Sequence, residues 1–195
     1  MLIDAATTPV TLAEVKAHLR IDPADTSQDD ELTLFINAAT KFGEKYTGRE
    51  FINKTFRTFR DCFDPCGFEI RRSRLQSVID IKYLDSDSVQ QTVDSSGYFN
   101  TFSNDFAEIK LNPAQQWPSD VLDRVQAIEI EFVAGYGATS ADVPDSIRSA
   151  LLNHIGALYA NRGDCDDGTC DCAGTLPSES KGIYDICRII DISNC

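Results

Sequence analysis

The spacing of hydrophobic residues changes twice along this chain, and that change limits what can be built from it. Leu12, Val15 and Leu19 recur at helical spacing, and Leu32, Phe35, Ile36, Ala39, Phe42 and Tyr46 form a longer continuous stripe. From about residue 51 the period falls to two. Phe51 to Phe59 is rich in aromatics and threonine, and Ile79-Asp80-Ile81-Lys82-Tyr83, Ile109-Lys110-Leu111 and Ile128-Glu129-Ile130-Glu131-Phe132 alternate. Helical spacing returns after Pro144 with Ile147, Leu151, Ile155 and Leu158. The pattern predicts an α+β fold: a small helical bundle with an inserted antiparallel β-meander of about five strands and an extended C-terminal tail. Helices are expected at about 11–21, 28–47 and 144–162, with the β insertion at about 51–137. Residues 1–162 then form one domain and 163–195 a C-terminal arm.

Local signals agree with these limits. Thr11 and Glu14 make a T-x-x-E capping box, and Asp22-Pro23 ends the first helix. Asp29, Asp30 and Glu31 suit the positive end of the second helix dipole, and Gly48 is its natural stop. Pro144 is expected at the first position of the last long helix, where its missing N–H loses nothing. Asp64-Pro65-Cys66-Gly67, Asp85-Ser86-Asp87-Ser88 and Ser95-Ser96-Gly97 read as turns between strands. Gln115-Gln116-Trp117-Pro118 reads as an irregular return loop with an aromatic anchor.

With 195 residues, 42% hydrophobic and 25% charged, the chain can bury one sound core. It has no run of about 18 apolar residues, and Met1-Leu2-Ile3-Asp4 does not resemble a secretory signal, so synthesis in the cytoplasm is expected. The net charge is −13, from 18 Lys+Arg against 31 Asp+Glu. Nucleic-acid binders normally carry the opposite balance. The acidity either keeps the protein soluble or presents DNA with a surface along which it slides.

Chemistry-bearing motifs are absent. There is no G-x-S-x-G elbow, phosphate loop or H-E-x-x-H helix, and Gly135-Tyr136-Gly137 lacks the helix N-terminus of a dinucleotide fingerprint. His18 and His154 each adjoin an apolar residue on a helix and read as packing residues. The seven cysteines are Cys62, Cys66, Cys165, Cys170, Cys172, Cys187 and Cys195. They lack both C-x-x-C spacing and a nearby histidine, so free thiols are the first reading, with a metal site or a late disulfide as alternatives. Asp164-Cys165-Asp166-Asp167-Gly168 lacks the ligand pattern of a calcium loop. No catalytic residue, cofactor or metal ligand is assigned.

Several blocks occur in a characteristic order. They are Pro9-Val10-Thr11-Leu12-Ala13-Glu14-Val15-Lys16 with Leu19-Arg20-Ile21, then Tyr46-Thr47-Gly48-Arg49, then Phe132-Val133-Ala134-Gly135-Tyr136-Gly137, and finally Val143-Pro144-Asp145-Ser146-Ile147-Arg148. In that order they resemble the head–tail connector (adaptor) proteins of tailed bacteriophages and phage-like particles, over roughly residues 9–162. The resemblance implies a structural virion protein of the neck, made in the host cytoplasm and serving genome ejection. It further implies a ring, a dodecamer in the particle, that bridges the portal to the stopper or tail-completion proteins. DNA would pass through the channel without sequence-specific binding, and no membrane is involved.

Two groups of residues are expected to make the contacts. Ile183, Tyr184, Ile186, Ile189 and Ile190 lie behind a polar linker and are portal-contact candidates. The same segment reads equally as a short closing helix that packs on its own domain. Arg71, Arg72 and Arg74, the only basic cluster, and Trp117 are subunit-interface candidates. For the arginines the alternative is a solvated strand end. A rival from another class is a small metal- or thiol-dependent module built on the C-terminal cysteines.

Overall fold

The computed structural model describes residues 7–70, 74–102, 107–161 and 176–189. Arg71, Arg72, Ile190, Cys165, Cys170, Cys172 and Cys195 lie outside them. The described residues divide into two compact units, a helical one from 7–52, 137–161 and 176–189 and a β unit within 53–136.

The helical unit contains α1 (Leu12–Leu19), α2 (Asp29–Thr47), α3 (Asp145–Ala160) and α4 (Ser178–Cys187). The capping box forms as expected: the Glu14 amide donates to Thr11 Oγ1 at 3.2 Å, and the Thr11 amide donates to Glu14 Oε2 at 2.7 Å. Lys16 is buried, a position its charge does not suggest. Its ammonium donates to the Asp25 carbonyl at 2.8 Å and pairs with Asp29 Oδ1 at 2.6 Å, so the loop between α1 and α2 folds around it.

Along α2 the core face is Leu32, Ile36, Ala39 and Gly43, whereas Phe42 remains 40% exposed. Gly48 closes the helix in the left-handed region at φ 70°. Pro144 stands one place earlier than expected, at the N-cap of α3 with ψ 135°, because an extended residue there lets the helix start at Asp145. Ile147, Ala150, Leu151, His154 and Ile155 are the buried side of α3. Each of α1, α2 and α4 packs against α3.

Glu14 links two of these helices, since its second carboxylate oxygen also accepts from the Arg148 guanidinium of α3. Burial pushes the Glu14 carboxyl up, but the Thr11 amide and hydroxyl together with Arg148 outweigh it and hold the group below the ordinary carboxylate range. A group whose folded pKa is depressed stabilises the fold above its unfolded value, about 4.3, and loses that contribution as pH falls through the folded value. Stability measured by denaturant between pH 5 and 3 should therefore fall less steeply in Glu14→Gln than in the parent. Equal slopes would detach Glu14 from the α1–α3 link.

Among the described residues the β unit has seven strands rather than about five: β1 (Lys54–Arg60), β2 (Phe68–Ile70), β3 (Leu75–Leu84), β4 (Gln90–Thr92), β5 (Tyr98–Phe102), β6 (Ala107–Leu111) and β7 (Ile128–Ala134). They form two antiparallel sheets, ordered β1-β7-β3-β4 and β2-β6-β5. The order departs from a simple meander because β7, the most apolar strand, takes the middle place between β1 and β3. Ile128, Ile130, Phe132 and Ala134 of β7 join Phe56, Ile81, Phe68, Ile70 and Ile109 in one core that spans both sheets. Phe51 and Ile52, expected to open the first strand, are buried residues of the helical unit instead.

The Gly-Tyr-Gly turn after β7 has a steric cause. Gly135 has φ 152°, and a Cβ there would lie 2.6 Å from the Asn53 backbone nitrogen. Its amide donates to the Arg74 carbonyl at 3.0 Å, which ties the start of β3 to the end of β7.

Candidate functional site

The C-terminal segment reads from sequence as either a partner-binding arm or a closing helix, and Ser178–Cys187 folds as α4 and packs on α2 and α3 of its own chain. Its seat is prepared by a glycine. A Cβ on Gly43 of α2 would lie 2.9 Å from the Phe51 ring and 3.2 Å from that of Tyr184, so any side chain there would push these rings off their present seat on the helix. Tyr184 fills the space and is fully buried, with the His154 ring 6.4 Å away edge-on and the Tyr46 ring 6.2 Å away. The Ser180 hydroxyl donates to the Ala150 carbonyl at 2.9 Å. Further along, Tyr46 donates to Asp185 at 2.5 Å and the Ile189 amide to the Thr47 carbonyl at 2.8 Å.

This placement sorts the five candidates of the segment. Tyr184 is a core residue, which corrects the surface contact expected of it: a buried aromatic ring meets no partner while the helix is docked. Ile183 and Ile189 are half-buried, and Ile186 projects outward at 87% exposure. Ile190 lies outside the described residues. Trp117 is likewise committed within its own unit. Its ring stacks on Phe63 at 4.9 Å and its indole N–H donates to the Asp64 carbonyl at 3.0 Å, pinning the loop between β1 and β2. Arg74 is exposed, its guanidinium 5.5 Å from the centre of the Tyr136 ring. Arg71 and Arg72 lie outside the described residues.

The described residues bring no reactive constellation together. Among them, no group of three or more His, Cys, Asp or Glu side chains is placed to hold a metal ion. Cys62 and Cys66 are exposed free thiols on the β1–β2 loop, and Cys187 is a half-buried one whose pKa burial pushes up. Burial pushes the His154 imidazole pKa down, and its ring meets Phe42 edge-on at 5.2 Å, a packing role. No described helix is long and apolar enough to cross a membrane.

What the molecule offers is surface. The Asp85 carboxylate shapes one hairpin tip, accepting from Gln91 Nε2 at 2.8 Å and from the Val89 and Asp87 amides at 2.9 and 3.0 Å. Val89 and Val125 are exposed on loops of the β unit, and Phe59, Ile79 and Leu34 on regular elements. Ile79, grouped with the buried Ile81 by the alternation in the sequence, is exposed at a register shift in β3, whereas the exposure of Phe59 follows from the alternation along β1. The exposure of Leu34 does not, because it belongs to the helix whose other face is core.

Residues 9–113 match the family model described as phage gp6-like head-tail connector protein. No curated protein matches the sequence. The fold matches solved chains over its whole length. One, from the virion of a native gene transfer agent (GTA) particle, has a TM-score of 0.76 at 20% identity and covers 100% of this chain and 98% of its own. Another, from the neck of an empty GTA particle computed with C6 symmetry, scores 0.73 at 20% identity with the same coverage. A third, from the neck of a native GTA particle computed with C12 symmetry, scores 0.69 at 19% identity, again covering 100% and 98%.

Proposed function

Because this chain belongs to the phage gp6-like head–tail connector family, we propose that it is the repeating subunit of a ring in the neck of a virion or phage-like particle. The family match carries this reading. The full-length likeness to chains of neck structures with C6 and C12 symmetry supports the ring and favours twelve copies. The ring sits between the portal and the stopper or tail-completion proteins and encloses the DNA channel. The net charge of −13 on each copy suits such a channel, since it repels phosphate and lets the duplex slide.

In this reading α4 presents Ile186, flanked by Ile183 and Ile189, to the portal. Each contact is small, and repetition around the ring supplies the strength. Arg71, Arg72 and Arg74 pair with carboxylates of a neighbouring copy. Removing the protein from the producing cell should yield DNA-filled heads and free tails that do not join, with joining restored by the intact chain. Normal numbers of tailed particles in its absence would overturn the reading.

A further inference from the structure

A closed ring of identical copies needs two different surfaces on each subunit, because a rotational contact repeats head to tail. The β unit carries one candidate. Register places Arg57 of β1 opposite Glu131 of β7, and Lys82 of β3 opposite Glu129, at positions that alternate with the core residues Ile130 and Phe132, and Glu131 among them is only 8% exposed. Arg57 Nε lies 3.3 Å from Glu129 and 3.2 Å from Glu131, and Lys82 Nζ lies 3.0 Å from Asp80. Two cations thus meet three carboxylates, which leaves one negative charge over. A register shift between Val78 and Asp80 turns Ile79 to the same side. Ile79 is 50% exposed and Phe59, on β1, is 41% exposed. The face therefore offers two apolar side chains beside a surplus of carboxylate.

The helical unit carries the complement. On α2, Leu34, Ala38, Lys41 and Lys45 follow at i, i+4, i+7 and i+11, so they form one strip, and all four are exposed. Leu34 is 64% exposed. The strip is apolar at its N-terminal end and doubly positive at its C-terminal end.

We propose that the Leu34–Lys45 strip of one copy docks on the outer face of the β1-β7-β3 sheet of the next copy. Leu34 meets Phe59 and Ile79, while Lys41 and Lys45 face the carboxylates of Asp80 and Glu129. The apolar contact supplies attraction, and the charges set orientation and reject the reversed arrangement. This rests on the ring reading above and names the two surfaces that close the ring.

The test places a photo-cross-linking benzophenone amino acid at Leu34 in chains assembled into particles. Illumination should give covalent dimers whose cross-linked peptide carries Phe59 or Ile79. The same probe at Ile79 should return a peptide containing Leu34 to Lys45, which covers the case of one probe blocking assembly. Leu34→Glu, a change at an exposed position, should remain folded and be lost from the neck. Dimers cross-linked elsewhere, or a chain present in particles that gives no dimer from either probe, would overturn these surfaces and leave the ring standing. Absence of the unmodified chain from particles would instead overturn the ring itself.

Discussion

Tyr184→Ala should destabilise the helical unit by about 3–5 kcal/mol, the range for removing a large buried aromatic. The ring is fully buried and closes on Gly43, where no side chain stands to take up the space it leaves. Tyr184→Phe should behave in the opposite way. The hydroxyl is buried without a hydrogen-bond partner among the described residues, and burial pushes its pKa up. An unsatisfied buried hydroxyl costs on the order of 1–3 kcal/mol, so its removal should leave stability unchanged or raise it. Denaturant titration followed by helical circular dichroism measures both variants. A loss in Tyr184→Phe as large as that in Tyr184→Ala would mean that the hydroxyl, not the ring, holds α4 in place.

Phe132→Ala should cost the β unit a similar amount, about 3–5 kcal/mol. Phe132 is 2% exposed on the central strand and stacks on Phe56 with ring centres 5.7 Å apart. Trp117, the only tryptophan, lies in this unit against Phe63 and Phe68, so its fluorescence reports this core. The midpoint of the fluorescence transition should move to clearly lower denaturant. An unmoved transition would place Phe132 outside the cooperative core.

Much of the fold was legible because burial imposes a period. The stripe of α2 and the alternation of β7 each face one core, and both are read directly from residue spacing. β4 was not legible, since Gln90, Gln91 and Thr92 are all exposed and carry no alternation. Its place comes from pairing with β3 and from the turn that Asp85 holds. Lys16 escaped for a related reason: a lysine on a short helix reads as solvent-facing, and it is the Asp29 carboxylate together with the carbonyls of the following loop that makes its burial tolerable.

The contact residues were harder. The C-terminal segment read equally as a free arm or a closing helix, because its apolar residues suit either outcome. The deciding feature is Gly43, far away in sequence, which opens a seat for Tyr184. Trp117, read as the aromatic anchor of a return loop and a subunit-interface candidate, has both its face and its N–H engaged within its own unit, by Phe63 and the Asp64 carbonyl. Ile186 stays outward because α4 turns its other side to α2 and α3. The surface of the β unit could be read in part from odd positions in β1 and β7, but the register that aligns Arg57 with Glu131 could not.

The most direct test of the account is the position and copy number of this chain in purified particles. Cryo-electron microscopy of the neck, reconstructed without imposed symmetry, should show its two units repeated as a ring next to the portal, with twelve copies in keeping with the C12 neck to which its fold is similar. A neck ring built entirely of other chains, or this chain at the tail tip or missing from the particle, would contradict the account.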